Sequence, residues 1–581
     1  MRFLTCGAGG MLVELADLDE TLRVFAALQD AVKHIVKPAY AGVRQLIPAA
    51  RTIYVSFDPL MVSRDGMESA IRALDAADEV GRHSKIVDIP VVYDGEDVAD
   101  VADVLGISAD EVVRRHCGSA WSVAFVGFAP GFAYLTGGDP IFDVPRRKVP
   151  RLSVPAGAVG LAGTFSGVYP RASSGGWQLL GHTETPMWDE HADPPALLQP
   201  GDTVRFAPVR HRAAVVDVPQ PSAADGPDAR DAGSAPDPSR ACPAPSPSSA
   251  ALDVLRPGLL TVFQDDGRAA ANMGVTGSGA ADRASFHLAN ALVGNPSNTP
   301  ALEIAGGGVR MRAHGEVVVA VAGAPTDVVI EGTRQSGKDE ADPSGANGRI
   351  GSTASERTVV TMQQPMLLRD GETLSIAPPA SGLRDYLAVR GGFDVETTLG
   401  SAATDTMSGI GPRPLSAGRR LAICDPRTVG DRGVGLPQPW PTDLPCSGDI
   451  TELAVRLGPR DDWFTTDGLS TFLTQTWTVT MQSNRVGLRL SGNLPLERAD
   501  ARELASEATP PGAIEVPTSG QPVVFLRDQP VTGGYPVIAV LEPESLDMAG
   551  QLPPGAQVRF RIVSPRSARP SRRACPTKEV R

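Results

Sequence analysis

The sequence predicts a mainly β protein with a small α+β domain at its N-terminal end and duplicated β-barrel lobes behind it. Three observations carry this expectation. Periodic segments over residues 1–90 run β-α-β-β-α-β, and short apolar runs cut by Gly and Pro turns dominate beyond about residue 115. Those runs also contain an internal repeat.

Composition agrees. With 61 Gly and 52 Pro among 581 residues, turns are plentiful, and 42% hydrophobic residues are enough for real cores. At roughly 100–200 residues per domain, the length suggests about three to five domains.

In the first 90 residues, Met11–Asp17 reads as a strand and Thr21–Val36 has helical spacing. Gly42–Asp58 reads as a hairpin, Gly66–Asp78 as a helix and Lys85–Asp94 as a closing strand. That order is the split-βαβ, ferredoxin-like arrangement. Farther on, Leu-x-x-Gly-x-x-[Val/Leu]-x-[Phe/Ile] recurs at Leu198–Phe206, Leu368–Ile376, Leu415–Ile423 and Leu552–Phe560. Each copy is a turn at Gly followed by an alternating strand. A longer pattern, Pro-x-Gly-Ala-[Val/Ile] and then Gly-Gly-[Trp/Tyr], runs from Pro155 to Leu180 and again from Pro510 to Ile538. Duplicated barrel lobes explain both patterns.

Residues 218–250 are rich in Pro, Ala, Ser and Asp and read as a tether, while 333–357 reads as a disordered insertion between two strands. The expected division is therefore 1–90, 91–217, the tether, 251–380, 381–565 and a basic disordered tail at 566–581.

The formal charge of −13 argues against nucleic acid or an anionic membrane as partner. The six cysteines form no CxxC pair, so neither a zinc site nor disulfides are expected. With no apolar run of about 18 residues and no leader-like start, a cytoplasmic protein is expected.

Several segments resemble a known family. WSVAFVGFAPGFAYL (121–135) and RRKVPRLSVPAGAVGLAGTFSGVYPRASSGGWQLLGHT (146–183) resemble the B subunit of the prokaryotic ATP-dependent 5-oxoprolinase. The C subunit is resembled by residues 258–308, which include QDDGR, and by DYLAVRGGFDVETTLGSAATD (385–405), SNRVGLRL (483–490) and GAIEVPTSGQPVVFLRDQPVTGGYPVIAVL (512–541). The chain thus looks like subunits B and C fused, in the family also described as KipI/KipA, allophanate hydrolase subunits 1/2 or urea amidolyase-related proteins. The resemblance implies cyclophilin-like closed β-barrels, one in the B half and two in the C half. It further implies ATP with Mg2+ as the energy source, a separate A subunit as partner and 5-oxoproline or a related amide as substrate. No tightly bound metal is expected, and the chain has no Met-Lys-Met biotin-carrier motif.

Opening a five-membered lactam is uphill. A plausible route phosphorylates the amide oxygen, which needs cations for phosphate, a base, and donors aimed at developing charge. Carried over by motif, the catalytic candidates are Asp265, Asp528 and His116. Candidates for substrate or phosphate binding are Arg147, Arg151, Gln264, Arg268, Glu303, Asn484, Arg485 and Tyr535. Each has a plainer alternative: His116 as a residue capping a strand, Arg147, Lys148 and Arg151 as solvated surface charge, and Asp265 with Arg268 as a turn clamp. His182 stands where the family usually has Arg, which puts an anion-binding role there in doubt. Asn290 reads as a hydrogen-bonder at a helix end. The near-Walker stretch Gly332–Lys338 ends in Asp339 and lies in the insertion, so it reads as linker. No GxSxG or HExxH motif occurs.

The leading expectation is an ATP-dependent 5-oxoprolinase component that activates 5-oxoproline for ring opening to L-glutamate. The alternatives are a carboxyltransferase-like or amide-hydrolysing enzyme on a urea- or allophanate-like substrate, and a KipI-type regulator of a histidine kinase. A kinase regulator has no need of the C half, whereas an active site between halves requires both. The tether would hold the halves at about millimolar effective concentration.

Overall fold

The structure, a computed structural model, describes residues 1–75, 85–147, 149, 151–210, 250–334, 354–430, 432–439 and 441–563. Lys148, nearly all of the tether, the centre of the insertion and the tail lie outside the described residues.

The N-terminal unit forms a four-stranded antiparallel sheet in the order Arg2–Thr5, Gly10–Glu14, Thr52–Phe57, Val43–Pro48. Helix Leu18–Lys33 starts where the Asp17 carboxylate accepts the Glu20 N–H, and helix Arg64–Arg72 starts at Ser63 in the same way. Their apolar stripes, including Val24, Leu28, Met67 and Ile71, pack on Val13, Ile53 and Val55 of the sheet.

The order is thus β-β-α-β-β-α, which corrects one expectation. The strand Ile86–Val91 leaves this sheet and pairs in parallel with Thr203–Pro208 in the next lobe. Its buried Ile89 and Val91 belong to that lobe's core, while Arg2–Thr5 supplies the missing edge beside Gly10–Glu14.

The first lobe is a seven-stranded sheet running Gln178–His182, Ala158–Ala162, Phe165–Val168, Ala133–Thr136, Trp121–Val126, Thr203–Pro208, Ile86–Val91. A bridge between Val92 and His182 brings its two ends together. The middle lobe wraps a six-stranded and a five-stranded sheet around one core, to which Val254, Ile304, Met311, Val321 and Leu387 contribute. The last lobe is a closed barrel of seven strands, completed by parallel pairing of Ile450–Leu457 with Gln557–Ile562. The molecule is therefore mainly β with barrel-like lobes, as the sequence predicts.

The repeats map onto matching places. In the first and last lobes the short motif ends in the strand that runs parallel to the lobe's first strand. Fully buried Trp121 and Trp477 lie beside it, and each Nε1 donates to a carbonyl five residues back, of His116 at 3.0 Å and Phe472 at 3.1 Å.

The halves meet backbone to backbone. The Gly131 N–H donates to the Met273 carbonyl at 3.0 Å, and the Phe128 N–H to Thr532 Oγ1 at 2.9 Å. Phe128 itself sits in the left-handed region, at φ 61°. A Cβ on Gly274, at φ +75°, would lie 2.3 Å from the Ala129 carbonyl oxygen. Arg2 pairs with Asp462 at 2.7 Å and Arg460 with Glu14 at 2.8 Å, tying the N-terminal unit to the last lobe. Leu4, Leu12 and Ile47 share an apolar cluster with Phe525, Val537 and Val540.

Gly274→Ala tests this seam. It is expected to lower stability by about 1–3 kcal/mol, through positive φ and overpacking together, read as a drop in Tm. An unchanged Tm would mean that the close approach has no energetic weight.

Candidate active site

Strand alternation decides what the first and last lobes show each other. In Ala513–Glu515, Ile514 points into the barrel core, while Ala513 and Glu515 point outward into the seam. The matching strand Ala158–Ala162 sends Val159 and Leu161 inward and turns Ala158, Gly160 and Ala162 outward.

Between these outward faces lies a cleft of about 710 Å³. Both copies of the Gly-Gly-aromatic turn border it, Gly175–Gly176–Trp177 from one half and Gly533–Gly534–Tyr535 from the other. At Gly534 a Cβ would come within 2.6 Å of Arg146 Nη1, so the guanidinium of the first half reaches close to this turn.

One wall is aromatic: Phe132, Tyr134, Tyr169 and Trp177 interlock edge to face, with Phe132 and Trp177 centroids 5.2 Å apart. The other wall is polar and comes from the last lobe. Its centre is Glu515, only 5% exposed, whose Oε1 has no hydrogen-bond partner. Burial, reinforced by Glu507 and opposed by Arg498, pushes the Glu515 carboxyl up to about 8. Arg498 donates to the Val516 carbonyl and keeps a buried Nε unpartnered, and burial holds it below the ordinary arginine value. Tyr535 completes this wall. Across the seam, Arg146 pairs with Glu503 at 3.0 Å and donates to Ser506 Oγ at 3.2 Å. A carboxyl poised near neutrality, a cation and a tyrosine hydroxyl opposite an aromatic wall can bind a flat, polar amide and take a proton from it.

Of the residues expected from sequence, Arg147 and Tyr535 line this cleft. Arg147 is tied to Asp97 at 2.7 Å, and Arg151 reaches the same oxygen at 2.8 Å. Asp97 also accepts the Leu179 N–H, so Arg151 braces the barrel wall and does not line the cleft.

His116 lies elsewhere. It is fully buried in the first barrel, stacked on Phe206 at 4.6 Å and held by Tyr93 and Ser166, each at 2.8 Å. In the last lobe Phe472 stacks on Phe560 at 4.5 Å in the corresponding place. Burial pushes His116 down to about 3, so it is a neutral core ring. His182 Nδ1 meets Asp94 at 2.8 Å, beside the bridge that closes the barrel.

Of the remaining candidates, Glu303, Arg485 and Asp528 converge where the middle and last lobes meet. Arg485, fully buried, reaches Glu303 and, through Nε at 3.1 Å, Asp528. Glu303 also pairs with Arg384 at 3.2 Å and accepts from Tyr386 and the Ala281 N–H. Asp528 accepts from Ser278 Oγ at 2.6 Å and from both the N–H and hydroxyl of Thr406. With its oxygens so fully engaged, Asp528 serves as a clamp between lobes and has no open side toward the cleft. Asp265 plays a similar part within the middle lobe, accepting from Ser401 Oγ at 2.6 Å and the Ala402 N–H at 2.7 Å. Gln264 and Arg268 each donate to a neighbouring carbonyl, of Thr404 and Ala403. Asn484 is exposed and caps its own turn by accepting from the Val486 N–H. Asn290 holds the Thr299 carbonyl at 2.8 Å from the end of helix Arg283–Leu292.

Glu515, Arg498 and Arg146 escaped the sequence reading. The signal for Glu515 was present: aligning the long repeats sets it opposite Gly160, an acid on a strand whose neighbours are apolar.

Comparison with known proteins decides the family. Residues 1–198 match the carboxyltransferase domain, subdomain C and D, and residues 273–562 match subdomain A and B. The B subunit of 5-oxoprolinase from Escherichia coli O157:H7 is 42% identical over 171 residues, 29% of this chain and 78% of that protein. The C subunit of 5-oxoprolinase from Escherichia coli K12 is 33% identical over 313 residues, 53% of this chain and 90% of that protein. The chain belongs to the family of 5-oxoprolinase subunits B and C.

It carries both in one polypeptide. The crystal structure of TTHA0988 has the same arrangement, with a TM-score of 0.73 and 32% identity over 95% of this chain and 99% of that one. Urea amidolyase of Saccharomyces cerevisiae is 31% identical over 55% of this chain, which is only 17% of its own length. The relatives of the B and C halves are thus enzyme subunits. Among the described residues no helix is long and apolar enough to cross a membrane.

Two substitutions separate scaffold from site. Arg485→Ala leaves buried Asp528 without its cation, and Glu303 with Arg384 alone, and is expected to cost about 3–5 kcal/mol, measured by denaturant unfolding. His116→Phe copies the last lobe but takes a partner from the Tyr93 and Ser166 hydroxyls, so it should cost about 1–3 kcal/mol with the fold retained. A collapse of the fold in His116→Phe would contradict the core-ring assignment.

Proposed function

We propose that the cleft between the two halves is where this chain, acting with a separate A subunit, activates the amide of 5-oxoproline for ATP-dependent ring opening to L-glutamate. The observation that carries the reading is Glu515: a buried carboxyl with an unpartnered oxygen, in a cavity to which both halves contribute. The family supports the substrate, since the relatives of the two halves bear the names 5-oxoprolinase subunits B and C.

In this mechanism the flat lactam ring lies against Trp177 and Phe132, and its carboxylate pairs with Arg498. Glu515, as carboxylate, takes the proton from the lactam nitrogen. Charge moves to the amide oxygen, which attacks the γ-phosphorus of ATP, arriving with its Mg2+ as co-substrate. The bond to the bridging oxygen breaks, ADP leaves, and an O-phosphorylated imidate remains. Water then adds to that activated carbon, the C–N bond breaks as the nitrogen takes back the proton from Glu515, and the ring opens to γ-glutamyl phosphate. A second water hydrolyses this acyl phosphate on the A subunit, releasing phosphate and L-glutamate. In this reading Tyr535 and Arg146, which both line the cleft, donate to the oxygen as it gains charge.

The experiment mixes the full chain with an A subunit, MgATP and 5-oxoproline and follows glutamate and ADP. Glu515→Gln is expected to lower turnover about 10²–10⁴-fold, the usual weight of a general base. Because the Glu515 carboxyl titrates near 8, the working carboxylate fraction grows as pH rises. Turnover should therefore climb through about pH 8 and level off above it, and the climb should vanish in Glu515→Gln. Wild-type rates from that variant would move the chemistry away from the cleft, and no glutamate with a competent A subunit would remove 5-oxoproline as substrate.

A further inference from the structure

A second cavity, of about 320 Å³, lies where the N-terminal unit, the middle lobe and the last lobe meet. Gln45 and Ile47 form its N-terminal side, and three arginines enter it from separate elements. Arg268 comes from the loop after strand Leu260–Gln264, Arg283 from the first turn of helix Arg283–Leu292, and Arg527 from the loop after strand Val523–Phe525.

The protein satisfies these guanidinium groups only in part, Arg268 Nη2 donating to the Ala403 carbonyl and Arg283 Nη2 to the Asp266 carbonyl. Arg268 is 6% exposed and Arg527 8%, yet Arg268 Nε and Nη1 and Arg527 Nε have no hydrogen-bond partner, and neither has Arg283 Nε. Asp266 is the one acid on the wall among the described residues, and His287 takes its Oδ1 at 2.7 Å. Asp547 reaches Arg527 Nη2 at 3.4 Å. Asp265, Asp405 and Asp528 act on Arg268 through space, but the first and last are engaged by the donors already described. Burial and the like charge of Arg283 hold Arg527 down to about 10. Buried, unpartnered N–H groups of cationic side chains are rare because nothing repays their lost hydration. An anion in the cavity would offset the charge that these three lining arginines bring together there.

We propose that this cavity binds a phosphate-type oxyanion, at a site separate from the cleft and independent of what the cleft does. Three guanidinium groups lining one cavity from three elements suit the several tetrahedrally disposed oxygens of a phosphate. The oxyanion can be free inorganic phosphate or part of a nucleotide's phosphate chain. Because three parts of the fold supply the wall, occupancy would also fasten them together.

The test uses the full chain. Thermal unfolding is followed in inorganic phosphate and in chloride at matched ionic strength, and phosphate affinity is measured by calorimetry. Phosphate should raise Tm saturably where chloride does not, and Arg527→Gln and Arg283→Gln should each weaken phosphate binding by at least about tenfold. Should Arg527→Gln fail to fold, half-buried Arg283 still carries the test. Glu515→Gln should keep the full response, which separates this site from the cleft. An ADP arm distinguishes the sources: saturation at lower concentration than phosphate, with phosphate then excluded, assigns the oxyanion to a nucleotide, and no advantage for ADP assigns it to free phosphate. Equal Tm in phosphate and chloride, or undiminished affinity in Arg283→Gln, overturns the proposal.

Discussion

The structure depends on one constraint, the close approach of the main chain of one half to the other. Where the loop Gly127–Phe132 meets Met273–Gly274 and Thr532, main-chain groups of one half bond to the other, and a Cβ on Gly127 would lie 2.7 Å from Thr532 Oγ1. Contact this close sets the separation of the first and last lobes, and so the width of the cleft behind it. Phe128 is held in a left-handed conformation that a bulky residue rarely adopts, a strain the seam's own hydrogen bonds must offset. Side chains alone would leave the two walls free to slide.

A different device joins the middle and last lobes. There the contact is ionic and buried: Arg485 stands between Glu303 and Asp528, with Arg384 on the far side of Glu303. Such a network adds little net stability over an apolar equivalent, but it fails badly when one member is lost. It therefore specifies one docking geometry for the lobes. Asp528 ties this network to Ser278 and Thr406 of the middle lobe, close to the arginine-lined cavity. The same docking thus shapes both the clamp and the second cavity.

Duplication explains how a site could arise on a barrel otherwise built for stability. The first and last lobes keep the buried tryptophan, the aromatic pair beneath it and the parallel strand that closes the wall. They differ where their outward faces meet. Gly160 corresponds to Glu515 and Trp177 to Tyr535, so one lobe presents a flat aromatic surface and the other a carboxyl and a hydroxyl. His116 shows the opposite case: a chemically versatile residue in the core position that Phe472 fills in the other lobe. Burial removes its charge, and its ring does the packing.

The linear chain was enough to establish the mainly β class, the repeats and the resemblance to subunits B and C, because these rest on local periodicity and on motifs contiguous in sequence. Tyr535 and Arg147 were legible for the same reason, standing in or beside the Gly-rich turns that border the cleft. Tertiary structure alone decided which sheet Ile86–Val91 joins, since a strand's partner is chosen by the core it can bury its side chains in. It alone also separated clamp from site. Asp265, Asp528 and Arg485 carry the residue types of a catalytic centre, but their neighbours, hundreds of positions away, use up their hydrogen-bonding capacity. Glu515 is ordinary by type, yet it acquires its high proton affinity through burial in the packed chain and the nearby charge of Glu507. Burial and partnership are properties of the packed chain, and no window of sequence contains them.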